Sequence, residues 1–259
     1  MAQLTVADDE AQLAELAAER VTQLIAQAAA ARGSAFVSLA GGTTPRRLYA
    51  NLADPDQSWR TRIPWAQVHL FWGDERHVPP NHPDSNYGMA KAALIDHVPI
   101  AVDHVHRIHG ELADAHEAAL DYDRTLDVAS AFRRTSDVVS GFSRTTLFDL
   151  TLLGLGEDAH IASIFPGSEL LDDVRRPFTG RRAAAVWAPH LNAWRITLTP
   201  EALLDSHHVV VLVAGAHKAH AVHSAIEWQL DVKTYPAQLL RAADDRVEWL
   251  LDRAAASQL

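Results

Sequence analysis

Residues 41–45 of this chain read Gly41-Gly42-Thr43-Thr44-Pro45. Two glycines let a backbone bend with positive φ and approach a ligand closely. Two hydroxyls follow, and a helix starting there points its free N–H groups outward, a small anion site suited to phosphate. The run lacks the GK[ST] ending of a nucleotide P-loop, which disfavours ATP. Taken alone it is also an ordinary strand-to-helix turn. Asp74-Glu75-Arg76-His77 is a second ionisable group. Arg76 can hold a phosphate or carboxylate, and Asp74 can orient a ligand hydroxyl or act as a base. In isolation such a cluster reads as solvated ion pairs.

His160 follows Gly154-Leu155-Gly156-Glu157-Asp158-Ala159. A neutral imidazole there can take a proton from water near pH 7, and Asp158 can orient the ring or touch the ligand. Among 15 histidines any single one is more often a packing or capping residue, and it is the position after a strand and a Gly-x-Gly turn that singles out His160. The same stretch imitates a dinucleotide fingerprint, but Pro166 cuts the next helix short and the acids about 20 residues on end no second strand, so NAD is not expected. Two further cations stand at Arg195 and Lys218. Lysine near a helix N-terminus opposes the dipole, so Lys218 needs an anion or another reason, though both also read as surface cations. His104, His106 and His109, and His217, His220 and His223, have metal-like spacing but no completing carboxylate or common helix face. They read as solvated or capping residues; no metal and no cofactor are expected.

These groups need elements to position them. Periodicity predicts a helix over 8–31 stopped by Gly33, and another with Pro45 in its first turn continuing over 46–52. Further helices are predicted from an Asp84-Ser85-Asn86 cap through Leu94, over 114–126, after His160 up to Phe165-Pro166, over 218–227 and over 246–256. Strands are predicted over 35–40, 68–72, 148–153, 183–187, 195–198 and 209–214, with a turn at 189–192. Residues 128–146 read as a polar, mobile surface segment. Alternation of strands and helices implies an α/β fold, a Rossmann-like, mainly parallel sheet covered on both faces, in one domain over 1–259. Ligands in such sheets bind beyond the carboxyl ends of strands, where the unusual loops fall.

The totals exclude several classes. A net charge of -10 argues against a nucleic-acid surface and requires any anion site to be locally basic. Zero cysteines exclude disulfides, thiolate metal sites and a cysteine nucleophile, and fit a cytoplasmic setting. No secretory leader and no membrane span are expected.

Taken together and in order, SLAGGTTPRRLY, FWGDERHVPPNHPDSNYGMAKAALI, FDLTLLGLGEDAHIASIFPGS, RITLTPEALL and VAGAHKAHAV resemble the successive blocks of 6-phosphogluconolactonases, as does PAQLLRAADDRVEWLLDRAA. The resemblance covers nearly the whole chain and implies a fold similar to glucosamine-6-phosphate deaminases and ribose-5-phosphate isomerases. It implies hydrolysis of 6-phospho-D-glucono-1,5-lactone in the oxidative pentose phosphate pathway, with a phosphorylated sugar lactone as the only expected partner; the sequence leaves the oligomeric state open, with a monomer slightly favoured. By position it puts the catalytic histidine on His160, pocket acid and base on Asp74 and Arg76, and phosphate grip on Arg195 and Lys218. Ala159 departs from the family's usual glycine; at positive φ it would cost on the order of 1 kcal/mol. Residues 128–146 match none of the blocks.

Overall fold

The structure, a computed structural model, describes residues 3–140, 146–172 and 180–259. Six parallel strands form the main sheet: β1 (Gln3–Ala7), β2 (Ala35–Leu39), β3 (Val68–Trp72), β5 (Phe148–Leu153), β8 (Ser206–Val213) and β9 (Val247–Asp252). Their spatial order is β1-β9-β8-β5-β2-β3. β2, β5 and β9 are buried at every residue, which requires cover on both faces. A smaller antiparallel sheet has the order β4-β7-β6, from β4 (Asp74–Arg76), β6 (Ala183–Ala188) and β7 (Ala193–Leu198). Gly73 joins the two sheets: its N–H donates to the Leu39 carbonyl (2.9 Å), and its own carbonyl accepts from Leu198 N–H (2.8 Å).

The helices are α1 (Glu10–Arg32), α2 (Thr43–Ala53), α3 (Ser58–Arg62), α4 (Asn86–Ala93), α5 (Ala115–Ser140), α6 (Pro200–Leu204) and α7 (Ala219–Ile226). Asp9 caps α1 by accepting from Gln12 N–H, and Gly33 ends it at φ 78°. Among the described residues no helix is long and apolar enough to cross a membrane.

Two expectations are corrected and one strand is added. The stretch read as a helix over 246–256 is the buried strand β9, seated between β1 and β8. Burial on both faces decides it, and Glu248 within the strand is held by Arg20 of α1. β1 was not foreseen; it is an edge strand with Leu4 and Val6 exposed, so it carries no core signature. Residues 128–140, for which no helix was expected, form the second half of α5. There Arg133, 3% exposed, donates from both terminal nitrogens to the buried Asp149 (2.6 and 3.0 Å). A charged residue on the buried face hides the apolar period. Residues 141–145 of that segment lie outside the described residues.

Candidate active site

Chain order sets the site. From β2 the chain runs outward to β3, then returns past β2 to β5 and continues the other way to β8 and β9. β2 and β5 therefore flank the topological switch point, where a crevice opens beyond the strands' carboxyl ends. A cleft of about 440 Å³ lies there, lined by residues 40–45 after β2, Gly73, Asp74 and Arg76 after β3, His160 and Ser163 after β5, Arg195 of β7, and Lys218 after β8. Gly41, Gly42, Thr43, Thr44, Asp74, Arg76, His160, Arg195 and Lys218, each singled out from sequence, all line it. Asp158 does not; it is exposed and reaches the cleft only through His160.

The anion end is built from backbone and cations. Gly42 is the N-cap of α2 at φ 101° and supplies no side-chain cap, so the first-turn amides of α2 remain for a ligand. Tyr49, buried on α2, accepts from Ala40 N–H (2.9 Å) and donates to the Ala40 carbonyl (2.8 Å), pinning the end of β2 under this turn. Tyr122 of α5 makes the same pair of bonds to Trp72 at the end of β3. In the β4–β7 ladder Arg76 lies directly opposite Arg195. Like charges in that register repel. Burial first and the facing Arg76 second pull the Arg195 guanidinium below its usual range, against the opposing pull of Asp74, Asp84 and Glu75. Burial likewise lowers the Lys218 ammonium, which Glu157 and Asp158 only partly offset. Among the described residues none of these three cations makes an ion pair with a carboxylate. Three cations on one cleft, none of them ion-paired, make the site locally basic inside an acidic protein. The Lys218 turn is itself held by Asp252 at the end of β9, whose carboxylate accepts from Gly215 N–H at 2.9 and 3.1 Å.

Strand alternation sorts the Asp74-Glu75-Arg76-His77 cluster. Asp74 and Arg76 face the cleft. Glu75 points away, 2% exposed, and accepts from the N–H groups of Arg76, Asn86 and Tyr87 and from Ser85 Oγ (2.7–3.0 Å). Burial raises its carboxyl, opposed by the backbone bonds. It serves as the anion at the N-terminus of α4. His77 is spent on the Leu112 carbonyl (2.7 Å).

His160 does not sit on a helix, contrary to expectation. Ala159 at φ 60° and Ala162 at φ 49° break the helical path, and Ile161 and Ile164 pair across an antiparallel bridge. The Ala159 geometry is held from outside by Ala237 N–H on its carbonyl (2.8 Å) and by Gly156 N–H on the His160 carbonyl (2.9 Å). His160 Nδ1 meets Asp158 Oδ1 at 2.5 Å. Gly156 makes room for this pair, since a β-carbon there would stand 2.0 Å from Nδ1. Burial raises the Asp158 carboxyl, but the His160 hydrogen bond and charge outweigh it and leave it below the usual range. Among the described residues no hydrogen bond engages His160 Nε2, the nitrogen left for the cleft. Phe165 packs on the ring at 4.6 Å between centroids, and His190 packs on Phe165 at 4.8 Å.

Sequence reasoning missed Asn86, Ser163, Phe165 and His190 of the lining. Asn86 was read only as part of a helix cap. The other three carry no motif of their own and enter through turns whose geometry local sequence does not specify. No group of three or more described His, Asp or Glu side chains is arranged to hold a metal ion.

Fold and cleft define an α/β protein with a locally basic cleft at its strand ends. The chain matches the model of glucosamine-6-phosphate isomerases/6-phosphogluconolactonase over residues 8–249. It is 37% identical to the 6-phosphogluconolactonase of Synechocystis sp., covering 95% of this chain and 94% of the relative. A Streptomyces coelicolor protein of the same name is also 37% identical, covering 99% and 94%. Among solved structures, 6-phosphogluconolactonase from Trypanosoma brucei superposes with a TM-score of 0.79 at 26% identity, over 100% of this chain and 99% of that one. The chain belongs to the glucosamine-6-phosphate isomerase/6-phosphogluconolactonase family of enzymes.

Proposed function

We propose that this chain is a 6-phosphogluconolactonase that hydrolyses 6-phospho-D-glucono-1,5-lactone to 6-phosphogluconate without metal or cofactor. The carrying observation is a histidine, held at Nδ1 by a carboxylate, in the same cleft as three cations that make no ion pair among the described residues. The phosphate is read against the α2 amides, Thr43, Thr44, Arg195 and Lys218, with Arg76 beside it. This anchor sets the lactone carbonyl near His160. Asp158 fixes the tautomer that leaves Nε2 as the acceptor. Nε2 takes a proton from water as its oxygen bonds to the carbonyl carbon, and backbone N–H groups or a nearby cation stabilise the oxyanion. Collapse breaks the bond to the ring oxygen, which receives the proton from His160; the new acid then ionises in solution. Base assistance of this kind contributes roughly 10²–10⁴-fold. The sequence has no G-x-S-x-G elbow to support a serine route.

The whole chain, 1–259, is read as one such domain, acting as a cytoplasmic monomer of the oxidative pentose phosphate pathway. The test follows lactone decay by NMR beside ammonia release from glucosamine 6-phosphate. Fast lactone opening without ammonia supports the reading; ammonia release with no lactone opening overturns it.

A further inference from the structure

Asn86, the first residue of α4, is 1% exposed and lines the cleft. Its Nδ2 donates twice to Asp74, to the backbone carbonyl at 2.9 Å and to Oδ1 at 3.1 Å. The reverse amide orientation would set an oxygen against both of these oxygens, so the orientation is fixed chemically. That leaves Asn86 Oδ1 as a buried acceptor without a partner. It lies against Gly41, where a β-carbon would stand 1.9 Å away. Only a glycine at 41 lets Asn86 reach this depth. The backbone of Asn86 is in turn held by Glu75 (N–H to Oε1, 2.7 Å).

Ser163 completes the arrangement. It is 1% exposed, donates Oγ to Asp74 Oδ2 (2.6 Å), and is placed by its own N–H on Thr197 Oγ1 (3.3 Å). Thr197 is the cross-strand partner of Asp74. Each oxygen of the Asp74 carboxylate thus has one protein donor that fixes its plane. A carboxylate has about four lone-pair sites, so two remain to accept from a ligand.

We infer that Asn86 is a positioning residue, acting through Asp74, that sets this carboxylate to accept hydroxyl donors on the sugar rather than to touch the phosphate. The inference rests on the phosphosugar reading above. It divides the cleft into a donor-rich end for the anion and an acceptor end, Asp74, for the polyol. The effect of Asn86 passes through one carboxylate, that of Asp74.

Binding of 6-phosphogluconate and of inorganic phosphate to the wild type, Asn86→Ala, Asp74→Ala and the double variant tests this by calorimetry. Asn86→Ala weakens 6-phosphogluconate at least tenfold and phosphate less than twofold. With Asp74 already alanine, the Asn86→Ala change costs less than twofold for either ligand. Equal weakening of both ligands, or the same loss with Asp74 absent, overturns the inference. If Asn86→Ala does not fold, Ser163→Ala in the same cycle carries the test, with the same selective loss expected and the same overturning results. Failure of the wild type to open the lactone is a separate result and sinks the functional reading instead.

Discussion

Replacing Arg195 with methionine separates the stability of the empty cleft from its affinity for an anion. Arg195 stands opposite Arg76 in the β4–β7 ladder, and like charges in that register cost roughly 0.2–1 kcal/mol. Methionine keeps an apolar stem along the strand and removes both the repulsion and the desolvated charge. It also removes the bond from Arg195 Nη1 to the Trp194 carbonyl (3.2 Å), which still accepts from His77 N–H (3.3 Å). A bond so duplicated sits at the low end of the roughly 0.5–1.5 kcal/mol range. The two terms leave the free variant between about 0.3 kcal/mol less and about 0.5 kcal/mol more stable than the wild type, a melting shift of no more than about 2 °C. With ligand the balance turns against the variant. A hydrogen bond from a charged donor to phosphate contributes about 1.5–3 kcal/mol, so KM rises roughly ten- to 150-fold. Thermal melts with and without inorganic phosphate, beside lactonase kinetics, read both terms. A variant that melts well below the wild type in phosphate-free buffer while keeping its KM would refute the assignment of Arg195 to the anion.

Ala159→Gly relieves a left-handed φ of 60° at a cost in unfolded-chain entropy, and a net gain of up to about 1 kcal/mol is expected in chemical denaturation, with kcat unchanged. Arg133→Met leaves the buried Asp149 with Arg32 and the Phe36 N–H; a loss near the lower end of the roughly 3–5 kcal/mol range should appear as a lower denaturant midpoint. Its KM should hold, because Asp149 lies at the opposite end of β5 from the cleft. Burial first, then the facing His104 and His106, lowers His69 to about 4, with Asp103 opposing. The folded state therefore binds fewer protons than the unfolded chain between about pH 6.5 and 4, and stability drains as pH falls through that window. In His69→Phe the acid limb of a stability–pH curve should flatten; an unchanged limb removes His69 from it.

Much of the site was legible because its loops punctuate strands. The glycines at 41 and 42, the Gly-x-Gly before His160 and the acid-rich exit of β3 mark strand ends that local sequence announces. Their convergence follows from strand order, which the alternation of strands and helices implies only in outline. What escaped notice depends on distant partners. β9 is a strand because β1 and β8 enclose it, and Arg133 belongs to a helix because Asp149 awaits it across the core. Ser163 matters only through Asp74, 89 positions away in the chain. Ala159 is the intermediate case: the residue type flagged a conflict, and the φ of 60° with its clamping bonds shows how the surrounding turns impose it.

Opening of 6-phosphogluconolactone by wild type and by His160→Asn, followed by NMR in one buffer near pH 7, bears most directly on the imidazole as base. Asparagine keeps a polar side chain beside Asp158 but cannot carry the proton. A fall in kcat of roughly 10²–10⁴-fold with KM nearly constant is expected. Turnover of the variant within a fewfold of wild type would contradict the role given to His160.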